Sequence, residues 1–200
     1  MLRVGLTGGL ASGKSFVGQT LAELGCHLIK ADQLGHEFLV PGAEAYESVV
    51  REFGPGVVDA DGTISRPRLA AEVFDKPERL ERLNRLLHPL VIQREEKMLA
   101  DFQARDPNGI AVVEAAILIE TGSYKRFHKI VVAVCTREQQ IERAMNRGLS
   151  RQEALARLDR QMPLEEKRKY ADFLIDTSGE KEDTLRQVRE VHRRLSRQEP

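Results

Sequence analysis

The sequence predicts an α/β protein with a parallel sheet, helices on both of its faces and a helical insertion. Short apolar runs rich in β-branched residues alternate with amphipathic stretches of helical periodicity. Continuous apolar strands of this kind belong to parallel sheets that are buried on both sides. Between the second and third strands the alternation stops, and residues 36–108 contain helical patterns without a convincing strand.

The core of the prediction consists of five strands and three helices. The predicted strands are Arg3–Thr7, His27–Lys30, Ile110–Glu114, Ile130–Cys135 and a shorter fifth, Phe173–Asp176. The predicted helices are Lys14–Leu24, Arg137–Arg147 and Glu182–Ser196.

The insertion is predicted to be helical and to cover the carboxyl edge of the sheet, where open α/β sheets bind ligands. Its helices are predicted at Ala43–Phe53, Arg66–Phe74 and Glu78–Ala104, with turn signals at Gly54-Pro55-Gly56 and Asp61-Gly62. Proline disfavours helical geometry in the residue before it, so a break or kink is expected at His88-Pro89.

The most informative motif follows the first strand and opens the first helix. Residues 8–15 read Gly-Gly-Leu-Ala-Ser-Gly-Lys-Ser and match G-x-x-x-x-G-K-[ST] at every fixed position. Glycines let backbone N–H groups approach a polyphosphate closely. In such a loop Lys14 bridges the β- and γ-phosphates and Ser15 offers its hydroxyl to Mg²⁺. This P-loop predicts a nucleotide site.

The rest of the chain favours a small-molecule kinase among P-loop proteins. A GTPase needs an N-K-x-D segment, which is absent from this sequence. Asp59-Ala60-Asp61-Gly62 matches the D-x-x-G motif in residue type, but it falls in a predicted turn and not after a strand. Motor and transporter ATPases need a longer chain than these 200 residues. We expect ATP as the phosphoryl donor and Mg²⁺ as the cofactor.

Composition argues against several other classes of protein. Thirty-one basic and 31 acidic residues give zero net charge, and aromatic residues make up 5%, so a nucleic-acid-binding surface is not expected. No apolar run reaches transmembrane length and no signal peptide is evident, which predicts a cytoplasmic protein. Cys26 and Cys135 are interpreted as reduced, buried thiols. We expect a monomer or a weak homo-oligomer.

Two carboxylates follow or end predicted strands. Asp32 is taken to end the second strand and is a candidate to accept the acceptor's proton or to hold Mg²⁺. It is equally a good N-cap for a helix beginning at Gln33. Glu114 ends the third strand and is a candidate Mg²⁺ residue; the alternative is an ion-paired carboxylate at the sheet edge.

Basic side chains supply the candidate phosphate contacts. Arg143 and Arg147 lie four residues apart, which predicts one helical face directed at the transferring phosphoryl group, although a solvated face paired with Glu138 or Glu142 is the alternative. Arg157 and Gln161 repeat this spacing. In the insertion, Arg66 and His88 are candidates to bind the acceptor, while His88 is equally consistent with packing beside Pro89.

The chain resembles the dephospho-coenzyme A kinase family over nearly its whole length. The segments that carry this resemblance are Leu6–Ser15, Ala31-Asp32 with His36, Leu87–Leu90, Leu118–Glu120, Gln140–Arg143 through Arg147, Arg157 with Gln161, and Ala171–Asp176. No segment except the P-loop is specific alone; their order and spacing are.

The resemblance implies transfer of the γ-phosphoryl group of ATP to the ribose 3′-hydroxyl of dephospho-coenzyme A, the last step of coenzyme A synthesis. It implies a P-loop nucleoside-kinase-like fold, with a core of residues 1–35, 109–140 and 170–200, an acceptor-binding insertion of residues 36–108 and a helical lid of residues 141–169. Another nucleoside or nucleotide kinase, or a non-catalytic ATP sensor, remains the alternative.

The expected site residues fall into four groups. Catalytic roles are expected for Lys14, Asp32 and Arg143. The expected ATP-binding residues are Gly8, Gly9, Ala11, Ser12, Gly13, Lys14, Ser15, Phe16, Arg143 and Arg147. Acceptor binding is expected from Asp32, Arg66, His88 and Arg157. The expected metal residues are Ser15, Asp32 and Glu114.

Three positions depart from the family pattern. Phe16 replaces the usual threonine and removes a hydroxyl near the α-phosphate, and Ala116 stands in place of a proline. The lid sequence Arg147-Gly148-Leu149-Ser150 lacks one acidic residue. We interpret these changes as tolerated variation.

Overall fold

The computed structural model describes residues 1–73 and 76–197. Its strands are β1 Leu2–Gly8, β2 His27–Lys30, β3 Ile110–Glu114, β4 Lys129–Val134 and β5 Phe173–Asp176. Its helices are α1 Lys14–Glu23, α2 Ala31–Glu37, α3 Tyr46–Phe53, α4 Arg66–Val73, α5 Pro77–Arg105, α6 Arg137–Met145, α7 Arg151–Leu158, α8 Leu164–Arg168 and α9 Lys181–Leu195. Short 3₁₀ turns occupy Pro55–Val57 and Ser123–Arg126.

The five strands form one parallel sheet in the order β2-β3-β1-β4-β5. All five predicted strands are confirmed, with ends that shift by at most one residue. In the register of the central strand, Leu6 lies opposite Glu114 of β3 and Val131 of β4. The loop that leaves β1 at Gly8 and the carboxylate that ends β3 therefore meet at the carboxyl edge of the sheet.

Both faces of the sheet are covered, as the continuous apolar strands predict. One face packs against α1 and α9 in a cluster that contains Leu2, Val4, Leu6, Val17, Leu21, Val112, Val131, Ile175, Val188, Val191 and Leu195. On the other face Val113 and Val132 have no exposed surface. Gly5 also faces this side, where a Cβ would lie 2.6 Å from Leu118 and 2.9 Å from Ile130.

The chain divides into two compact units. One contains residues 1–30 and those from Leu99 onward, and the other is Ala31–Met98. The second unit has a core of its own, formed by Phe38, Leu39, Ala45, Val49, Phe53, Val57, Ile64, Leu69 and Leu83. Turns of this unit lie at the glycines where turns were predicted. Gly54 and Gly62 have φ values of 84° and 85°.

Of the break or kink predicted at His88-Pro89, the break is absent. Pro89 lies inside α5, which runs without interruption for 29 residues. An interior proline removes one helical hydrogen bond and costs about 3 kcal/mol. Leu86, Leu87, Leu90 and Val91 flank it and pack against the core of the insertion. This apolar packing offsets the cost of a proline inside the helix.

Other differences concern the ends of helices and short helices. The helix predicted at Ala43–Phe53 begins at Tyr46, and the one predicted at Arg66–Phe74 is described to Val73, with Phe74 outside the described residues. Helices α2, α7 and α8 have eight residues or fewer. A helix from Gln33 was expected only as the alternative for Asp32, and α7 and α8 lie in the segment expected to form a helical lid, for which no helix bounds were predicted.

The two cysteines are free thiols. Burial raises the pKa of Cys26 to about 12, and the pKa of the half-buried Cys135 is also raised, mainly by burial. Within residues 1–73 and 76–197, none of the helices combines the length and apolar character needed to cross a membrane.

Candidate active site

The P-loop wraps between β1 and α1 with two residues in left-handed conformation. Ala11 has a φ of 53° and Gly13 a φ of 85°. Gly13 is required for a second reason, because a Cβ there would lie within 3.0 Å of three side-chain atoms of Thr177. At Gly8, a Cβ would collide with Ser12 Oγ and would lie 2.8 Å from the carbonyl oxygen of Ala133. The loop therefore depends on glycine where neighbouring atoms approach it.

Three predicted site residues meet beneath this loop. Glu114 Oε1 accepts hydrogen bonds from Lys14 Nζ at 2.9 Å and from Ser15 Oγ at 2.7 Å. Glu114 is buried, and the side chains of the Lys14–Glu114 ion pair are only 11% and 5% exposed. An ammonium, a hydroxyl and a carboxylate thus converge at the carboxyl edge of the sheet, where Glu114 is ion-paired as its alternative interpretation expected.

Two buried polar atoms of this cluster lack a hydrogen-bond partner among the described residues, namely Glu114 Oε2 and Ser12 Oγ. Glu114 Oε2 lies against Gly18 of α1, and a Cβ at that position would be only 2.9 Å from it. An unsatisfied buried oxygen is costly in isolation. Glu114 Oε2 is therefore an unsatisfied buried oxygen at this site.

Arg143 reaches the P-loop through Thr177, the residue that follows β5. Its guanidinium donates to Thr177 Oγ1 at 3.1 Å and to the Thr177 carbonyl oxygen at 2.6 Å. Thr177 Oγ1 in turn donates to the Ser12 carbonyl oxygen at 2.8 Å. Thr177 was not among the predicted site residues, although its place at the carboxyl end of a strand is the signal that identifies it.

The prediction that Arg143 and Arg147 share a helical face is wrong. Helix α6 ends at Met145, and Arg147 lies exposed in the following turn. The reason is Gly148, which has a φ of 93° and lets the Leu149 N–H donate back to the Ala144 carbonyl oxygen at 3.3 Å. This is a common way to end a helix at glycine.

Two glutamines hold the peptide groups of Leu10 in the P-loop. The Leu10 N–H donates to Gln161 Oε1, and Gln140 Nε2 donates to the Leu10 carbonyl oxygen, both at 2.7 Å. Gln161 and Arg157 were singled out in the sequence by their four-residue spacing. Arg157 lies exposed on α7.

An ion pair between the buried Lys167 and the exposed Glu120 connects α8 to the segment after β3. Lys167 has no exposed surface, and its Nζ donates to the Ala116 carbonyl oxygen at 2.6 Å and lies 2.9 Å from Glu120 Oε1. Glu120 Oε1 also accepts from the Met162 N–H at 3.1 Å. Ala116, which replaces a proline of the family pattern, thus contributes its carbonyl group.

The remaining predicted site residues lie in the second compact unit, with the exception of Phe16. Phe16 lies near the start of α1 and is 36% exposed. Asp32 was predicted to end β2 or to cap a helix from Gln33. Both positions differ in the structure. The strand β2 already ends at Lys30, and Asp32 lies inside the first turn of α2 and not before it.

The charges of Asp32 and Arg66 both influence the pKa of His36 in this unit. Partial desolvation and the charge of Arg66 lower the pKa of His36, while Asp32 raises it. His88 is half-buried in α5, and burial lowers its pKa. Asp32, His36 and Arg66 therefore form one polar group of the insertion.

Comparisons with known proteins agree with one another. A family model described as dephospho-CoA kinase matches residues 2–183. The chain is 40% identical over 197 residues to a dephospho-CoA kinase of Aquifex aeolicus, covering 98% of this chain and 99% of that protein.

Solved structures show the same similarity. One is the protein TT1252 from Thermus thermophilus, at 32% identity and a TM-score of 0.81, with 95% of both chains covered. Another is the dephospho-CoA kinase from Campylobacter jejuni, at 30% identity and a TM-score of 0.69, with 97% of this chain and 96% of that chain covered.

Proposed function

The chain belongs to the dephospho-CoA kinase family, and we propose that it transfers the γ-phosphoryl group of ATP to the ribose 3′-hydroxyl of dephospho-CoA. The product of this reaction is coenzyme A, and the step is the last of its synthesis. The observation that carries the proposal is the convergence of Lys14, Ser15 and Glu114 beneath the P-loop. The family membership supplies the identity of the acceptor.

The P-loop binds the polyphosphate of ATP in this proposal. Backbone N–H groups of the loop other than that of Leu10, together with the N-terminus of α1, supply hydrogen bonds and partial positive charge. Lys14 neutralises charge on the transferring phosphoryl group, which requires it to exchange part of its contact with Glu114 for the phosphate. Arg143 and Arg147 add guanidinium groups from the lid, residues 141–169.

Mg²⁺ is the proposed cofactor, and the residues present fit it. Magnesium prefers oxygen ligands and is commonly held by one or two carboxylates together with substrate phosphates and water. Ser15 Oγ and the Glu114 carboxylate supply oxygens of this type, and Asp32 is proposed as a third contributor. Such an ion neutralises charge on the phosphates of a nucleotide.

The acceptor is proposed to bind to the insertion, residues 36–108. Asp32 accepts a hydrogen bond from the 3′-hydroxyl and receives its proton late in the transfer. The cationic Arg66, together with His88 and Arg157, is suited to the diphosphate of dephospho-CoA. We also propose a cytoplasmic location, a monomer or weak homo-oligomer, and no role for nucleic acid.

A comparison of acceptors tests the proposed reaction. Purified protein with ATP and Mg²⁺ is incubated with dephospho-CoA, adenosine, AMP or pantetheine, and ADP release is followed by a coupled assay. We expect ADP release with dephospho-CoA to exceed that with every other acceptor, and mass spectrometry to detect coenzyme A. Preferred turnover of AMP or adenosine would identify a different nucleoside or nucleotide kinase. ATP binding without acceptor-dependent release would indicate a sensor.

Arg143→Ala is expected to lower kcat more than it raises the KM for ATP. Its guanidinium is proposed to strengthen its contact as charge spreads over the transferring phosphoryl group. Loss of a charge-assisted hydrogen bond corresponds to a decrease of about 10- to 100-fold in kcat. Steady-state kinetics with ATP varied at saturating dephospho-CoA measures both constants.

Thr177→Val separates the direct role of Arg143 from its contact with the Thr177 hydroxyl. The substitution preserves side-chain volume and removes the hydroxyl that accepts from Arg143 and donates to Ser12, while the Thr177 carbonyl oxygen still accepts from Arg143. If Arg143 contacts the phosphates directly, the valine variant keeps most of its kcat and the two substitutions combine additively. Equal and non-additive losses would place Arg143 in support of the P-loop only.

A further inference from the structure

The peptide groups on both sides of Leu10 are fixed by side chains that lie far away in sequence. Gln161 Oε1 accepts from the Leu10 N–H and Gln140 Nε2 donates to the Leu10 carbonyl oxygen, each at 2.7 Å. Gln140 is only 5% exposed. Each amide thus presents the atom type that its backbone partner needs, and the pair fixes the orientation of the chain at this point of the loop.

The residue held in place by this arrangement is Ala11. Its φ of 53° is unfavourable for a residue with a Cβ and persists only where the surroundings enforce it. Before Ala11 the glutamines hold Leu10, and after it Thr177 Oγ1 holds the carbonyl oxygen of Ser12 at 2.8 Å. The strained residue therefore lies between two anchored peptide groups.

The space under Gly9 shows that Gln140 is packed against the loop. A Cβ at Gly9 would lie 2.5 Å from Gln140 Nε2 and 3.4 Å from the side chain of Leu164. A side chain at position 9 would displace the Gln140 amide from Leu10. Gly9, at a variable position of the motif, is thus matched to a residue of α6, 131 positions later in the chain.

We propose that Gln140 and Gln161 are positioning residues that hold the P-loop in its phosphate-binding conformation before nucleotide arrives. They contact the loop rather than the substrate, and their effect is to reduce the ordering required on binding. Because the Leu10 N–H already has a partner, the phosphates are left to the other amides of the loop. This inference rests on the proposed function in taking the P-loop as the ATP site.

The test compares Gln161→Met and Gln140→Met with Gln152→Met. Methionine preserves length and removes the polar atoms, and Gln152 is an exposed glutamine of α7 that serves as the matched control. Calorimetry measures binding of tripolyphosphate, which requires only the loop, and of adenosine, which has no phosphate. Melting temperatures establish that each variant is folded.

We expect each of the two loop-contacting variants to bind tripolyphosphate about tenfold more weakly, the equivalent of one lost hydrogen bond. Their affinity for adenosine is expected to stay at the wild-type value, and their KM for ATP to rise. The Gln152 variant is expected to match the wild type. If the buried Gln140 variant does not fold, the half-buried Gln161 decides the result.

Wild-type affinity for tripolyphosphate in the folded Gln161→Met protein would overturn the inference. An equal loss for adenosine and tripolyphosphate would also overturn it, because general damage would then explain the effect. If the wild type binds neither ATP nor tripolyphosphate, the proposed function and the inference both fail. If it binds ATP but does not phosphorylate dephospho-CoA, only the acceptor assignment fails, and the binding comparison still decides on the glutamines.

Discussion

Lys14→Ala is expected to lower kcat by roughly 10²-fold or more, the scale of one lost electrostatic stabiliser of a transition state. The side chain supplies the positive charge that the P-loop motif directs at the β- and γ-phosphates. The loss is measured as kcat in the ADP-release assay at saturating ATP and dephospho-CoA. A folded Lys14→Ala protein that retains a third of the wild-type kcat would contradict the assignment of the P-loop.

This substitution also affects stability, because Lys14 forms a buried ion pair with Glu114. Removal of one partner of such a pair costs about 3 kcal/mol, so the melting temperature is expected to fall. The double variant Lys14→Ala/Glu114→Gln removes the charge that would otherwise be left behind. We expect it to regain thermal stability without regaining activity, which separates the chemical role of Lys14 from its structural one.

Asp32→Asn is expected to decrease kcat by about 10²- to 10⁴-fold, the range of a general base in proton transfer. The amide keeps the size of the side chain but cannot accept the proton of the 3′-hydroxyl. Affinity for ATP, measured by calorimetry, is expected to remain near the wild-type value. Loss of one carboxylate from the first turn of α2 costs at most about 1 kcal/mol, so the melting temperature changes little.

Glu37→Gln is the matched control for Asp32→Asn. Glu37 is an exposed carboxylate of the same helix, and its ion pair with Arg94 is long, at 4.0 Å. We expect nearly normal turnover from this variant. Recovery of Asp32→Asn at high Mg²⁺ would favour a role in metal binding over proton transfer. A large decrease in melting temperature with preserved turnover would make Asp32 a structural residue and transfer the carboxylate role to Glu114.

The phosphate-binding half of the site could be predicted because its determinants are local in sequence. A buried strand, a glycine-rich loop and a helix that begins at Lys14 are consecutive, and their geometry follows from glycine and helix preferences. Glu114 was predicted from its place at the end of a strand, because the carboxyl ends of parallel strands share one edge of the sheet. Such arguments require no knowledge of long-range contacts.

The contacts that support the loop could not be predicted in this way. Gln161 and Gln140 lie 151 and 130 residues from Leu10. The place of Thr177 after a strand is visible in the sequence, but its contact with Ser12, 165 residues away, is not. No periodicity or spacing encodes which polar side chain reaches a given peptide group at such separations. The uninterrupted α5 shows the related limit, because packing of the leucines around Pro89 outweighed a local preference that had predicted a break.

The complete burial of Lys167 has a consequence for chemical labelling of the protein. Amine-reactive reagents reach its Nζ only when α8 opens away from Ala116 and Glu120, whereas Lys169, two residues later, is 66% exposed and reacts directly. The ratio of the two labelling rates then reports how often this segment opens. The labelling rate of Lys167 is thus a probe of local unfolding, and the labelling rate of Lys169 is its reference.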